Sequence, residues 1–406
     1  MLGDKAGRLV EMSMKRLLGI VLALFWAAPA LADYQAAATY SASYRGISLL
    51  VIEDGEVVFE DYPGDGAADR AQPLASGTKS FAGIMAAAAV QDGLLTLDER
   101  VSDTITEWQG SLREEITIRQ LLNLTDGLRV PRRAGRVPPY NMAAQVRLGR
   151  RPGESFVYSP VPFQVFGEVM RRKLDGDPLE YLTRRVLDPI GLEVAEWREG
   201  RDGNPTWPTG AQLTARNWAR LGEFLLARGA WNGEQLVSPE AFEELFIGSD
   251  VNPAYGLTWW LIRPVSFEFA ASTPPMDDST DFWQHPDVFP DDMVMAAGAG
   301  DQRLYVSWER NMVVVRQAEG IIGALMGHRL SWSDVQFWRL LEAPPGERPD
   351  PLPPVIITPD GMPRGAVVQL PSGAVVALPP VAESDEEEAG EEEDEREDGE
   401  FVGPTF

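Results

Sequence analysis

The chain is 406 residues long, 44% apolar, free of cysteine, and carries a formal charge of −26. That length allows one large enzyme or two to three average domains, and the missing thiols exclude disulfides, zinc-thiolate sites and cysteine nucleophiles. Thirteen acids against Arg396 between Glu383 and Glu400 account for −12 of the charge. An acidic body with an acidic tail argues against a nucleic-acid partner, whose phosphates need basic patches.

Lys15-Arg16 precede an apolar run, Leu17 to Ala32, that closes Ala30-Leu31-Ala32. Two cations, a short apolar stretch and an A-x-A site predict a secretory signal over residues 1–32, cleaved before Asp33, and a periplasmic or secreted protein. The run is shorter than the about 20 residues of a membrane span, so no stable membrane insertion is expected. An uncleaved N-terminal anchor is the competing reading. Met12 or Met14 is a more natural start than Met1, which would leave residues 1–11 untranslated.

Gly46 to Tyr62 predicts a β-hairpin, with Ile47–Ile52 and Val57–Phe59 as strands and Asp54-Gly55 as the turn. Phe81 to Val90 is apolar on most sides, which predicts a buried helix beginning at Ser76 and stopping at Gly93. Thr117 caps a short helix through Leu122, another covers Phe163 to Arg172, and Asp177-Pro178 with Glu180 opens Tyr181–Leu187. Thr214 heads a helix with Trp218, Leu221 and Leu225 at core spacing, and Ser238-Pro239 starts the next. Ser333 and Gln336 form a capping box for a last helix with Val335, Trp338 and Leu341 on one face. Strands return at Leu257–Ile262, Gln302–Trp308 and Met312–Arg316. Strands at both ends with helices between them predict one sheet completed by both termini. The fold class is α+β, residues 33–342, with a helical insertion at about 94–210. Residues 343–406 turn Pro-rich and then acidic; Gly365–Leu378 has the pattern of a marginal hairpin, and 383–406 cannot bury enough apolar surface to order.

Ser76 and Lys79 stand three residues apart, a spacing that stacks both side chains on one helical face. An amine in a water-poor pocket can take the proton that keeps a serine hydroxyl a poor nucleophile. Only four of the 36 basic residues are lysines, at 5, 15, 79 and 173. A chain that uses arginine for its surface cations keeps lysine where the group must lose its proton. The plainer reading makes Ser76 a helix cap and Lys79 a surface cation. Tyr158, in a Gly/Pro turn ahead of a helix, is a candidate proton relay or else an edge-of-core tyrosine. Ala296-Ala-Gly-Ala-Gly-Asp-Gln302 is either an ordinary glycine-rich turn or a place where substrate approaches the backbone and an N–H completes an oxyanion hole.

Other chemistries have less to draw on. The two histidines, His285 and His328, stand outside any G-x-S-x-G or H-E-x-x-H context. No metal site, P-loop or dinucleotide fingerprint is present, and no cofactor is expected. Trp259-Trp260 reads as core.

Ser76-Gly-Thr-Lys-Ser80, Gln91-Asp-Gly-Leu94 with Leu97-Asp98, and Ile118-Arg-Gln-Leu-Leu122 with Asp126-Gly-Leu128 resemble the penicillin-recognising serine hydrolases of the class C β-lactamase group. So do Pro152-Gly153 before Tyr158-Ser159, Asp188-Pro-Ile-Gly-Leu192, Tyr255-Gly-Leu257 before Trp259-Trp260, and Gly300-Asp-Gln302. The resemblance spans roughly residues 45–342 and is similar in flavour to the branch with 6-aminohexanoate-dimer hydrolases and esterases. It implies a β-lactamase/transpeptidase-like fold, an antiparallel sheet flanked by helices with an inserted helical subdomain. It makes Ser76 the acyl-forming nucleophile, Lys79 its activator and Tyr158 the acid–base relay. The N–H groups of Ser76 and Ala299 would form the oxyanion hole, and Gly298, Gly300 and Gln302 would line the substrate.

Two departures shape the expected substrate. The family's Tyr-x-Asn reads Tyr158-Ser159-Pro160, and the cation of its Lys-Thr-Gly motif is replaced by Ala296 or Gly298. The expectation is therefore a small-molecule ester or amide with a small or uncharged acyl group rather than a β-lactam. The alternative is a catalytically silent binding protein of the cell envelope that keeps the fold.

Overall fold

A computed structural model describes residues 34–130, 137–263, 282, 285–326 and 332–352, with two short strands at 367–369 and 375–377. The expected signal segment, the acidic stretch 383–406 and His328 lie outside the described residues.

Helix α1 (Tyr34–Ser43) leads into β1 (Gly46–Glu53) and β2 (Glu56–Asp61). The turn between the strands holds Asp54 and Gly55 at φ 50° and 79°, two successive left-handed residues whose twist matches a tight hairpin. The short β3 (Gln72–Pro73) then precedes a 3₁₀ turn, Ala75–Lys79, and α2 (Ser80–Gln91). Next come α3 (Ile118–Leu122), α4 (Val161–Leu174), β4 (Glu196–Trp197), β5 (Ala211–Leu213) and α5 (Ala215–Leu226). The chain returns through β6 (Trp260–Leu261), β7 (Val294–Gly298), β8 (Gln302–Ser307), β9 (Met312–Ala318) and α6 (Asp334–Glu342).

The main sheet has six antiparallel strands in the order β2-β1-β9-β8-β7-β6. The β1–β9 pairing joins the N-terminal hairpin to the C-terminal meander, so both ends of the domain complete one sheet. Neighbouring residues of β8 face opposite layers. Leu304 and Val313 meet α5 at Gly222, whereas Tyr305 stacks on Phe337 of α6 at 5.9 Å. Six tryptophans, at 108, 207, 218, 259, 332 and 338, are wholly buried in the core.

Side-chain caps set the helix starts. Thr117 accepts from Gln120 N–H in a complete capping box, and Thr214, Ser238 and Ser333 each accept from the N–H three residues on. Each such cap stabilises its helix by about 1 kcal/mol.

Three expectations are corrected. The helix expected from Ser76 begins as a 3₁₀ turn and becomes α-helical only at Ser80. The strand expected over Leu257–Ile262 shrinks to Trp260–Leu261, because Thr258 at φ 77° turns the chain and donates its N–H to Leu122 O. Tyr181–Leu187 starts earlier, at Pro178, and runs from Leu182 into a π-turn over Thr183–Leu187. Strand β7 and helix α1 have no counterpart among the expected elements. Residues 355–406 form a separate unit in which Val367–Gln369 pairs antiparallel with Val375–Ala377.

Candidate active site

Ser76 and Lys79 meet because of the 3₁₀ turn, not in spite of it. At three residues per turn, positions i and i+3 eclipse, whereas an α-helix would offset them. Lys79 Nζ lies 2.8 Å from Ser76 Oγ. Its second contact is a 3.2 Å bond donated to Pro208 O. That carbonyl is set by α4, whose Gln164 Oε1 accepts the N–H of Trp207 at 3.0 Å.

Neighbours on every side hold the turn. Leu74 N–H donates to Ala211 O, Ala211 N–H to Thr78 Oγ1, and Ser80 Oγ to Gly77 O. A Cβ on Gly77 would stand 2.8 Å from the Trp218 ring, so no larger residue fits there. Ala75 sits at φ 47°, a conformation that costs a non-glycine residue about 1 kcal/mol or more and recurs beside reactive groups. Within the turn only Ser76 is partly open to solvent. The first backbone bond of the turn is Gly77 N–H to Leu74 O, so the N–H of Ser76 precedes the bonded ladder.

Lys79 is 4% exposed, and among the described residues no carboxylate lies within 4.0 Å of its ammonium. Its other neighbours are rings, with Nζ 4.8 Å from the Tyr158 centroid and 5.4 Å from that of Phe163. Burial without a counter-ion disfavours the charged form and lowers the amine from its ordinary 10.5 to about 7.

Tyr158 reaches Lys79 from the loop ahead of α4. The loop is pinned by Val157 N–H on Leu124 O and Gly153 N–H on Thr125 O. Ser159 Oγ then accepts Val161 N–H as the helix begins. The Tyr158 ring stacks on Trp260 of β6 at 5.6 Å and 20°, and Tyr255 closes the aromatic cluster. Trp260, read from sequence as core, is the surface against which Tyr158 is set; the double tryptophan gave no sign of that role.

The end of β7 forms the opposite wall. A Cβ on Gly298 would come within 2.0 Å of Leu74 O and 3.1 Å of Gly77 N, so glycine lets the strand touch the Ser76 turn. Gly300 and Gln302, expected to line the substrate, have structural partners of their own. Gly300 is small because Ile321 backbone packs on it, 3.0 Å from where a Cβ would be. Gln302 is wholly buried: its amide donates to Gly300 O and Ala318 O and accepts from Ala318 N–H, so nothing of it faces a ligand.

The fold and the convergence of these elements define a serine-hydrolase scaffold of the penicillin-recognising kind. A Beta-lactamase family profile matches residues 30–261, and the chain belongs to that family. Protein flp of Staphylococcus aureus strain MW2 is 26% identical over 174 residues, 38% of this chain and 35% of flp, so the chain spans about a third of that relative's length. Among solved structures, a Bacillus anthracis protein named as a candidate 6-aminohexanoate-dimer hydrolase aligns at TM-score 0.57 and 17% identity, over 76% of this chain and 82% of the other. EstCE1, described as a hydrolase with promiscuous acyltransferase activity, aligns at TM-score 0.56 and 16% identity over 76% and 99%. At these identities the likeness is one of fold. No helix among the described residues is long and apolar enough to cross a membrane.

Proposed function

We propose that this protein is a secreted serine hydrolase that cleaves an ester or amide through an acyl-serine intermediate on Ser76. The observation that carries the reading is a buried amine, lowered to about 7, held 2.8 Å from a partly exposed serine hydroxyl. Near neutral pH a useful fraction of Lys79 is uncharged and can accept a proton.

In this mechanism Ser76 Oγ attacks the carbonyl carbon as its proton passes to Lys79 Nζ. The carbonyl oxygen becomes an oxyanion facing the N–H groups of Ser76 and Ala299. When the tetrahedral species collapses, the bond to the leaving oxygen or nitrogen breaks, and the proton from Lys79 reaches that atom by way of the Tyr158 phenol. Water then attacks the acyl carbon, gives its proton to the same base, and the serine oxygen leaves and is reprotonated.

The substrate class follows from what faces the site. Ala296 and Gly298 offer no cation to a carboxylate, and Pro160 offers no side-chain amide to an acylamino group. An uncharged, compact acyl group is the better fit. Incubation with a fluorophosphonate and with a panel of p-nitrophenyl esters and anilides tests the reading by intact mass. A stable increment on Ser76, abolished in Ser76→Ala, is expected. Absence of any adduct, or labelling undiminished in that variant, would instead leave a silent binding protein.

A further inference from the structure

Residues 298–302 join β7 to β8 at the wall of the site, and four of their five carbonyls are held by buried side chains. Arg303 Nη1 donates to Gly298 O at 3.3 Å and to Gln302 O at 3.1 Å. Gln302 Nε2 donates to Gly300 O at 3.0 Å, and Arg316 Nη1 to Asp301 O at 2.6 Å. The two arginines are cross-strand neighbours on β8 and β9. Arg303 is fixed in turn by Asp334 through bonds of 2.8 and 3.1 Å, and Arg316 by Ser41, Tyr44 and the Trp332 ring, 3.9 Å from its guanidinium carbon.

Peptide geometry turns this clamp into a statement about the site. No peptide bond among the described residues is cis, and in a trans peptide the C=O and the following N–H point in opposite directions. Gly298 O points at Arg303, inside the hairpin. The N–H of Ala299 therefore points out of the hairpin, away from β8. A cation on the carbonyl also polarises the whole peptide, which makes that N–H a stronger donor.

We propose that Arg303 is a positioning residue for catalysis: by binding Gly298 O it aims and polarises the Ala299 N–H as the second oxyanion donor. The cation that the resemblance would set in front of the turn, against a substrate carboxylate, is absent. This chain has cations behind the turn, acting through the peptide. The clamp exists before substrate arrives, so the donor needs no reorganisation as charge develops. The inference rests on the acyl-serine reading above and goes beyond it in naming what holds the Ala299 donor in place.

The test compares Arg303→Lys with wild type on a reactive p-nitrophenyl ester and on an alkylboronic acid, which mimics the tetrahedral oxyanion. Lysine keeps the charge beside Asp334 but lacks the planar fork that binds Asp334 through Nε and Nη2 while Nη1 holds the two carbonyls. The expected result is kcat lower by roughly 10- to 100-fold, KM within about twofold, and boronate affinity weakened by the same factor as kcat. Unchanged kcat and boronate affinity with only a lower Tm would reduce Arg303 to a structural role and overturn the proposal. Should Arg303→Lys fail to fold, a crystal structure of the wild-type boronate adduct decides. A boronate oxygen bonded to Ala299 N–H supports the proposal, and one bonded elsewhere refutes it. A wild type that forms no adduct on Ser76 sinks the hydrolase reading itself, a distinct outcome.

Discussion

Lys79 and Arg303 are buried to nearly the same depth, 4% and 3% exposed, yet their charges meet opposite fates. Lys79 faces a hydroxyl, a carbonyl and two rings, and desolvation lowers it to about 7. Desolvation presses Arg303 the same way, but the Asp334 carboxylate, together with Tyr305 and Asp301, more than offsets it and the guanidinium is held above its ordinary range. Depth alone therefore does not decide what a buried cation does. The partner does, together with the residue type: an amine without a carboxylate can act as a base, and a guanidinium with one is a fixed charge.

Making Lys79 resemble Arg303 should have the largest effect. Lys79→Arg keeps a cation beside Ser76 but removes the ability to lose a proton, so kcat/KM on a p-nitrophenyl ester should fall by about 10³–10⁴ with KM little changed. The converse substitution is Asp334→Asn, which takes the facing charge from Arg303. Tyr305 and Trp332 also bond that carboxylate, so denaturant unfolding should show a loss of about 3–5 kcal/mol.

Much of the first cation's role could be read from the chain and almost none of the second's. The Ser76–Lys79 pair is local, three residues apart, a spacing that puts both side chains on one face, and the 3₁₀ turn brings them into register. Tyr158 is a candidate relay from its Gly/Pro turn, and the family resemblance gives it the acid–base role; nothing near it in the sequence says that Trp260 and Lys79 will flank its ring. The clamp on residues 298–302 draws on Ser41, Arg303, Arg316 and Asp334, which no periodicity connects. Strand β7 was missed because Ala296, Ala297 and Gly298 carry no β-branched signal; its pairing with β8 supplies what propensity lacks. Gln302 is a ligand contact only by the family resemblance over Gly298–Gln302. Only the fold shows that the backbone of Ala318 uses its amide.

A smaller effect should sharpen the contrast. Lys79→Met removes an uncompensated buried cation and should stabilise the protein by about 2 kcal/mol while abolishing turnover. The sign with pH follows from linkage. The folded-state value is about 7 and the unfolded value near 10.4. Between them the unfolded chain binds more protons, so wild-type stability from this group rises with pH. The gain from Lys79→Met should thus be larger at pH 6 than at pH 9 by urea titration.

The smallest expected effect concerns Asp126, a buried carboxyl raised to about 7 by desolvation despite accepting Leu128 N–H. Here the folded state binds the extra proton between about pH 4 and 7, so its contribution to stability is lost as pH rises through 7. Asp126→Asn keeps the acceptor and should gain about 1 kcal/mol at pH 8 and close to nothing at pH 4.

The most direct test of the account is the pH dependence of Ser76 acylation by a fluorophosphonate, followed as a rate from pH 5 to 9 in wild type and Lys79→Ala. A rising limb with its midpoint near pH 7, absent from the variant along with most of the rate, is the predicted result. A flat profile in wild type, or the same limb persisting in Lys79→Ala, would contradict the claim that the uncharged amine of Lys79 activates the serine.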